Sequence, residues 1–219
     1  MTTSWLDQAI GLTAGVLLLT SVLLVWKRSL SGAVRSLAVQ GIALAAMVAV
    51  IGMSEHDAEL VAVSALVLGL KGVLLPWVLD RSRIRTGAVR EETPLLNTTA
   101  SLLALSLLTM LAYLVSQPFL ALAAGPTSAA VPVGISLVLY GFLLLATRRH
   151  AISQLVGFLV LDNGIATVAF LTAGGVPLVV ELGASLDVLL VVLILRVLTS
   201  RITAEFGAAD LDDLMELRD

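Results

Sequence analysis

Three ionisable side chains lie inside apolar runs that are long enough to cross a membrane: Lys71, Asp162 and Asp187. A charge in hydrocarbon is costly, and such residues mark ion pathways, proton relays or buried ion pairs. At a rise of about 1.5 Å per residue, all three lie roughly 13 to 16 Å from the nearer end of their predicted helices. Their shared depth allows the three side chains to form a lateral polar chain between three helices.

A polar chain of this composition has the chemistry of a proton relay. A carboxyl group in apolar surroundings tends to keep its proton, whereas a nearby ammonium group favours the ionised form. A site that combines both effects can exchange protons near neutral pH. Glu181, close to the outer end of the last span, is a fourth candidate member, and Arg196 can reach the cytoplasmic surface. The alternative is a structural ion pair that orients helices.

Neighbouring residues give the candidate relay local support. Pro76 removes a helical hydrogen bond to the carbonyl group of Gly72, four residues back. The helix is therefore expected to be kinked or opened beside Lys71, where a carbonyl group could bind water or an ammonium group. Asn163 follows Asp162 directly and makes this part of the helix polar. Gln40, Gln154 and Ser64 could line a wet path, but each is expected to form an interhelical hydrogen bond.

The composition indicates an integral membrane protein. Of 219 residues, 58% are hydrophobic and 13% are charged, with a mean hydropathy of +1.03. A soluble domain would carry roughly 25% charged residues. There is no Cys, and the only histidines are His56 and His150. These counts exclude disulfides and thiolate metal sites, and we expect no cofactor, no bound metal and no nucleic acid partner.

Seven apolar runs approach or exceed the roughly 20 residues that a membrane-spanning helix needs. We therefore predict an all-α, polytopic bundle of about seven transmembrane helices that forms a single membrane domain over 1–219. Four helices occupy 1–129, three occupy 130–200, and an acidic tail covers 201–219. The predicted spans are 6–26, 35–53, 58–80, 97–122, 130–147, 151–173 and 177–200.

The connectors between the spans predict the orientation. Basic and non-basic connectors alternate, and Lys and Arg mark the cytoplasmic side. The N-terminus is therefore expected outside and the C-terminus in the cytoplasm. The basic residues of the first, third and fifth connectors are Lys27, Arg28, Arg35, Arg81, Arg83, Arg85, Arg90, Arg148 and Arg149.

The C-terminal third of the chain resembles the three-helix K-type subunit of respiratory complex I. The segment ATRRHAISQLVGFLVLDNG places a doubly basic turn before a helix in which Gly157 and Asn163 match the pattern of that family. Leu159 stands where the family has a glutamate, and Asp162 is the candidate to supply that carboxylate. Asp187 matches an acidic residue midway along the last helix, and the tail ends in MELRD.

Over its whole length, with KGVLLP from Lys71 to Pro76 in the third span, the chain is similar to the hydrogenase-4 component E family. The resemblance implies a multi-pass subunit of the cell (plasma or inner) membrane in a complex-I-like hydrogenase. Its implied partners are antiporter-like and complex-I-like membrane subunits and, indirectly, peripheral metal-cluster subunits. The chain itself would be non-catalytic.

Two alternatives to this function remain open from the sequence. The chain could belong to a multisubunit cation/proton antiporter, although its seven spans exceed the three of the matching antiporter subunit. It could instead be a structural scaffold that docks a soluble partner through the 81–97 loop and the tail.

Overall fold

The computed structural model describes residues 3–26, 29–86, 97–122, 126–148 and 151–172, and nearly all of these residues are helical. The third span is continuous but contains a π-helical segment between two α-helices. The elements are α1 (Thr3–Trp26), α2 (Leu30–Glu55), α3 (Ala58–Val67), the π-helical segment (Leu68–Leu74), α4 (Leu75–Thr86), α5 (Thr98–Leu122), α6 (Pro126–Thr147) and α7 (Ala151–Thr172).

Six of these helical spans are long and apolar enough to cross a membrane, the third being α3, the π-helical segment and the first part of α4 together. They correspond to the first six predicted spans, so the all-helical membrane architecture is confirmed at this level. The second and fifth spans begin four to five residues earlier than predicted. The seventh predicted span, 177–200, lies outside the described residues.

The turn between α2 and α3 is specified by local capping. His56 ends α2 in the left-handed conformation, with φ of 56°, and its N–H donates to the carbonyl oxygen of Gly52. The carboxylate of Asp57 then accepts hydrogen bonds from the N–H groups of Glu59 and Leu60 at the start of α3. These two caps provide hydrogen-bond partners for backbone groups at the end of α2 and at the start of α3. The third span can therefore fold back directly along α2.

Helix α2 occupies the centre of the described bundle, because it packs against α1, the third span and α7. Helix α6 packs against α7, α5 and α1. Two clusters of buried apolar side chains fill the space between them; one includes Leu44, Val63 and Phe170, and the other includes Leu37 and Val160. This arrangement brings the middle of the third span and the middle of α7 to the same helix.

Close glycine contacts fix the register of α6 against α7. Gly134 and Gly141 on α6, and Gly157 and Gly164 on α7, each face the partner helix so closely that an added Cβ would lie 2.4–2.9 Å from an atom of that helix. Small residues allow membrane helices to approach in this way. The register sets the depth of Asp162.

Candidate ion-pair site within the membrane spans

Lys71 and Asp162 form an ion pair between the third span and α7. The Nζ atom of Lys71 lies 2.7 Å from Oδ2 of Asp162, and the two side chains are 3% and 17% exposed. This separation is that of a close contact between an ammonium group and a carboxylate. The predicted lateral contact between these two helices is therefore present. Breaking such a pair on one side leaves an uncompensated charge, which is costly.

Lys71 lies at the centre of the π-helical segment. The N–H group of Leu75 donates to the carbonyl oxygen of Leu70, five residues back, instead of to Lys71. Pro76 follows and has no N–H group to donate. The local opening expected beside Lys71 is present, but as a π-helical register instead of the simple loss of one bond to Gly72. π-Helical turns inside α-helices are frequent at functional sites.

The backbone of Lys71 rests on Gly41 of α2. A Cβ added at Gly41 would lie 2.3 Å from the carbonyl oxygen of Lys71 and 2.5 Å from the nitrogen of Gly72. No side chain larger than a hydrogen atom fits at this point without movement of one helix. Gly41 therefore permits the closest approach of α2 to the π-helical segment.

A chain of hydrogen bonds runs from α7 through α2 to α1 beside the ion pair. The side-chain amide of Asn163 donates to Oε1 of Gln40 over 3.3 Å, and Nε2 of Gln40 donates to Oγ of Ser21 over 2.7 Å. Ser21 in turn donates to the carbonyl oxygen of Leu17. All three of the side chains are buried. The interhelical hydrogen bond expected for Gln40 is thus present and joins three helices.

Ser64 and Gln154 bind locally instead of between helices. Ser64 donates to the carbonyl oxygen of Val61 within α3, and Gln154 donates to that of Arg148 in the turn before α7. The interhelical bonds expected for these two residues are therefore not the ones that the structure shows.

A cavity of about 10 Å³ adjoins Lys71 and Asn163. This volume is about the minimum that holds one water molecule. Its lining combines two polar side chains with the gap that Pro76 leaves in the helix, and the lining residues are Leu37, Lys71, Leu75, Pro76, Leu159 and Asn163. The site therefore has room for one bridging water but not for an organic substrate.

Arg148, in the basic turn between α6 and α7, is buried and reaches α1. Its Nη2 atom donates to the carbonyl oxygen of Val25 over 3.2 Å. Val25 lies in the last turn of α1, where carbonyl groups have no donor within the helix and attract cations. The sequence predicted only a surface charge at this position, and the helix contact was missed.

The structure brings five of the eight predicted site residues together: Lys71, Gly72, Pro76, Asp162 and Asn163. Asp187, Glu181 and Arg196 lie outside the described residues. Sequence reasoning missed Gly41, although a signal existed, because glycine follows a lone glutamine in the middle of an apolar run. Within the described residues no group of three or more His, Asp or Glu side chains could hold a metal ion.

The chain is similar over most of its length to known proteins. It is 51% identical over 207 residues to the uncharacterized protein Rv0085 of Mycobacterium tuberculosis, a match that covers 94% of both chains. The chain belongs to the family of Rv0085. Hydrogenase-4 component E of Escherichia coli is 24% identical over 205 residues, which cover 94% of this chain and 95% of that protein. The same protein of Shigella flexneri matches equally.

The family assignment rests on these sequence relatives. No protein family model matches the chain, and no solved structure matches it significantly. The likeness to hydrogenase-4 component E supports a membrane subunit, in agreement with the six apolar helices. The resemblance to that component seen in the sequence is thus supported as a distant relationship.

Proposed function

We propose that this chain is a membrane-arm subunit of a complex-I-like hydrogenase or related oxidoreductase and contributes to proton translocation. The observation that carries the proposal is the ion pair of buried Lys71 with partly buried Asp162, 2.7 Å apart, inside two membrane spans. Ionisable residues inside membrane spans mark ion pathways and proton relays. The distant likeness to hydrogenase-4 component E supplies the class of complex.

The role of each group follows from its chemistry. Asp162 is the proton-carrying carboxyl group, and Lys71 is the cation paired with it. Asn163 and Pro76 line the cavity beside Lys71 that has room for one water, and Gly72 follows Lys71 in the π-helical segment. In this proposal, Asp187 and Glu181 extend the relay along the last span, and Arg196 anchors that span at the cytoplasmic surface.

The proposed topology places seven spans in the plasma or inner membrane, with the N-terminus outside and the C-terminus in the cytoplasm. The seventh is 177–200. The parts 1–129 and 130–200 form one membrane domain, and the acidic tail 201–219 faces the cytoplasm. Partners in the membrane are antiporter-like and complex-I-like subunits, while peripheral metal-cluster subunits carry the redox centres.

Two other functions make different predictions about partners and charges. A subunit of a multisubunit cation/proton antiporter would associate with antiporter subunits alone. A structural scaffold would retain its function after neutralisation of Asp162 and lose its assembly after deletion of 204–219.

Purification of the tagged chain from its native membranes in mild detergent, followed by mass spectrometry, tests the assignment to a complex. We expect a hydrogenase-like large subunit together with antiporter-like membrane subunits. Antiporter subunits alone would support the exchanger instead. A chain that is recovered without partners at stoichiometric amounts would refute the subunit proposal.

A further inference from the structure

We propose that Gln40 and Gly41, consecutive residues on α2, act as positioning residues for both members of the ion pair. Gly41 contacts the third span at Lys71, and Gln40 binds α7 at Asn163, the residue that follows Asp162. One turn of one helix therefore contacts the two elements that carry the opposite charges.

The Gly41 contact determines how closely the backbone of Lys71 approaches α2. The carbonyl oxygen of Lys71 and the nitrogen of Gly72 both lie in the space that a side chain at position 41 would occupy. Packing at this distance resists both translation and rotation of the π-helical segment, because protein interiors are close-packed. The contact therefore fixes the backbone position from which the long Lys71 side chain extends.

The Gln40 contact determines the rotation of α7. Successive side chains on an α-helix differ by about 100° in direction. When the amide of Asn163 is held on α2, the carboxylate of Asp162 is directed around the helix toward the third span. The hydrogen bond lies in a membrane span where both side chains are buried, so water does not compete for it.

Ser21 restricts Gln40 from the other side. Gln40 is completely buried, and its amide donates to Ser21 of α1 while its carbonyl oxygen accepts from Asn163. Both ends of the amide are engaged, so the side chain has one orientation. The amide group of Gln40 does not ionise, so it can hold the ion pair in place without taking part in proton transfer.

The inference rests on the proposed function only for its effect on translocation, and its geometry can be tested separately. The chain has no Cys, so Lys71→Cys with Asp162→Cys gives a clean pair for a short bifunctional thiol reagent in native membranes. Removal of the ion pair is useful here, because its own attraction then no longer contributes to the distance between the two sites. The rate of cross-linking is compared with and without Gln40→Met.

A second pair reports whether the bundle is intact. A Cβ at Gly52 would lie 3.2 Å from the Cβ of Leu60. This is slightly shorter than the roughly 3.5–4.5 Å between the Cβ atoms of a disulfide, so a small outward shift suffices for the bond. Gly52→Cys with Leu60→Cys therefore reports the packing of α2 on α3. If Gln40→Met prevents formation of that disulfide, Asn163→Leu is used in place of Gln40→Met. Asn163→Leu removes the same hydrogen bond, but from the α7 side.

We expect Gln40→Met, or Asn163→Leu, to lower the rate of cross-linking between positions 71 and 162 by about threefold or more, the effect of losing an average interhelical hydrogen bond. The Gly52–Leu60 disulfide should form as in the parent chain. An unchanged rate between positions 71 and 162 would overturn the positioning role. Slower cross-linking with normal ion translocation by the Gln40→Met chain would keep the positioning role and refute the relay.

Discussion

Gly141 of α6 lies directly against the backbone of Leu161, the residue that precedes Asp162 on α7. A Cβ at position 141 would lie 2.4 Å from the Cβ and 2.6 Å from the Cα of Leu161. The distance between α6 and α7 is therefore set at Leu161, one residue before the carboxylate of the ion pair. The close packing of α6 on α7 thus also helps to position the charged site.

Gly141→Ala should destabilise the protein, because a methyl group at this point forces two backbones apart. The expected cost is about 1–3 kcal/mol, typical of overpacking. Thermal unfolding of the purified chain in detergent measures it. Gly15→Ala on α1 is the matched control, since nothing lies within 4 Å of its added Cβ. Equal unfolding temperatures for the two variants would contradict the close α6–α7 contact.

Gly41→Ala should separate α2 from the π-helical segment and weaken the Lys71–Asp162 contact. Its Cβ would meet the carbonyl group of Lys71, so we expect a loss of stability of about 1–3 kcal/mol together with a loss of ion translocation. Gly69→Ala is the matched control in the same segment as Lys71, because space around it is open. Normal translocation by the Gly41→Ala chain would show that the closeness of this contact is unimportant.

Pro76→Ala should have opposite effects on stability and function. Alanine restores an N–H group and removes a helix-breaking residue, which in an ordinary helix is worth about 3 kcal/mol. The third span should then favour a regular α-helix, and the position of Lys71 should change. We expect higher resistance to thermal unfolding with reduced ion translocation. If both stability and translocation are unaltered, Pro76 does not maintain the π-helical register.

Leu159→Glu should restore part of the function that Asp162→Asn removes. Leu159 lies three residues before Asp162 on the same face of α7 and lines the cavity that Lys71 also lines. A glutamate there can place its carboxylate near the ammonium group. Proton translocation by the double variant, compared with Asp162→Asn alone, tests this exchange. Failure at normal protein levels would show that the site requires its carboxylate at position 162.

Much of the fold could be predicted from the sequence because apolar runs of about 20 residues have few alternatives to a membrane helix. The similar depth of Lys71 and Asp162 could be predicted, since depth in the membrane follows from residue count. Their contact and the partners of Gln40 could not, because the order of helices in a bundle is not encoded in hydropathy.

The π-helical register around Lys71 shows a second limit of sequence reasoning. Pro76 indicated that a hydrogen bond would be lost, and a break at Gly72 was the simplest expectation. The actual register also reflects the packing of α2 on this segment through Gly41, a tertiary contact. The direction in which a helix adapts to proline is therefore determined by its neighbour and not by local sequence alone.

The most direct test of the central claim is redox-driven proton uptake by sealed membrane vesicles that contain the Asp162→Asn chain. Copurification of the partner subunits establishes equal assembly, and Glu55→Gln, at an exposed carboxylate of the α2–α3 turn, is the control. We expect Asp162→Asn to lower proton uptake by about 100-fold, because a proton-transferring group is removed, and Glu55→Gln to leave proton uptake unchanged. Proton uptake at the parental rate by the assembled Asp162→Asn complex would contradict the proposed role of Asp162.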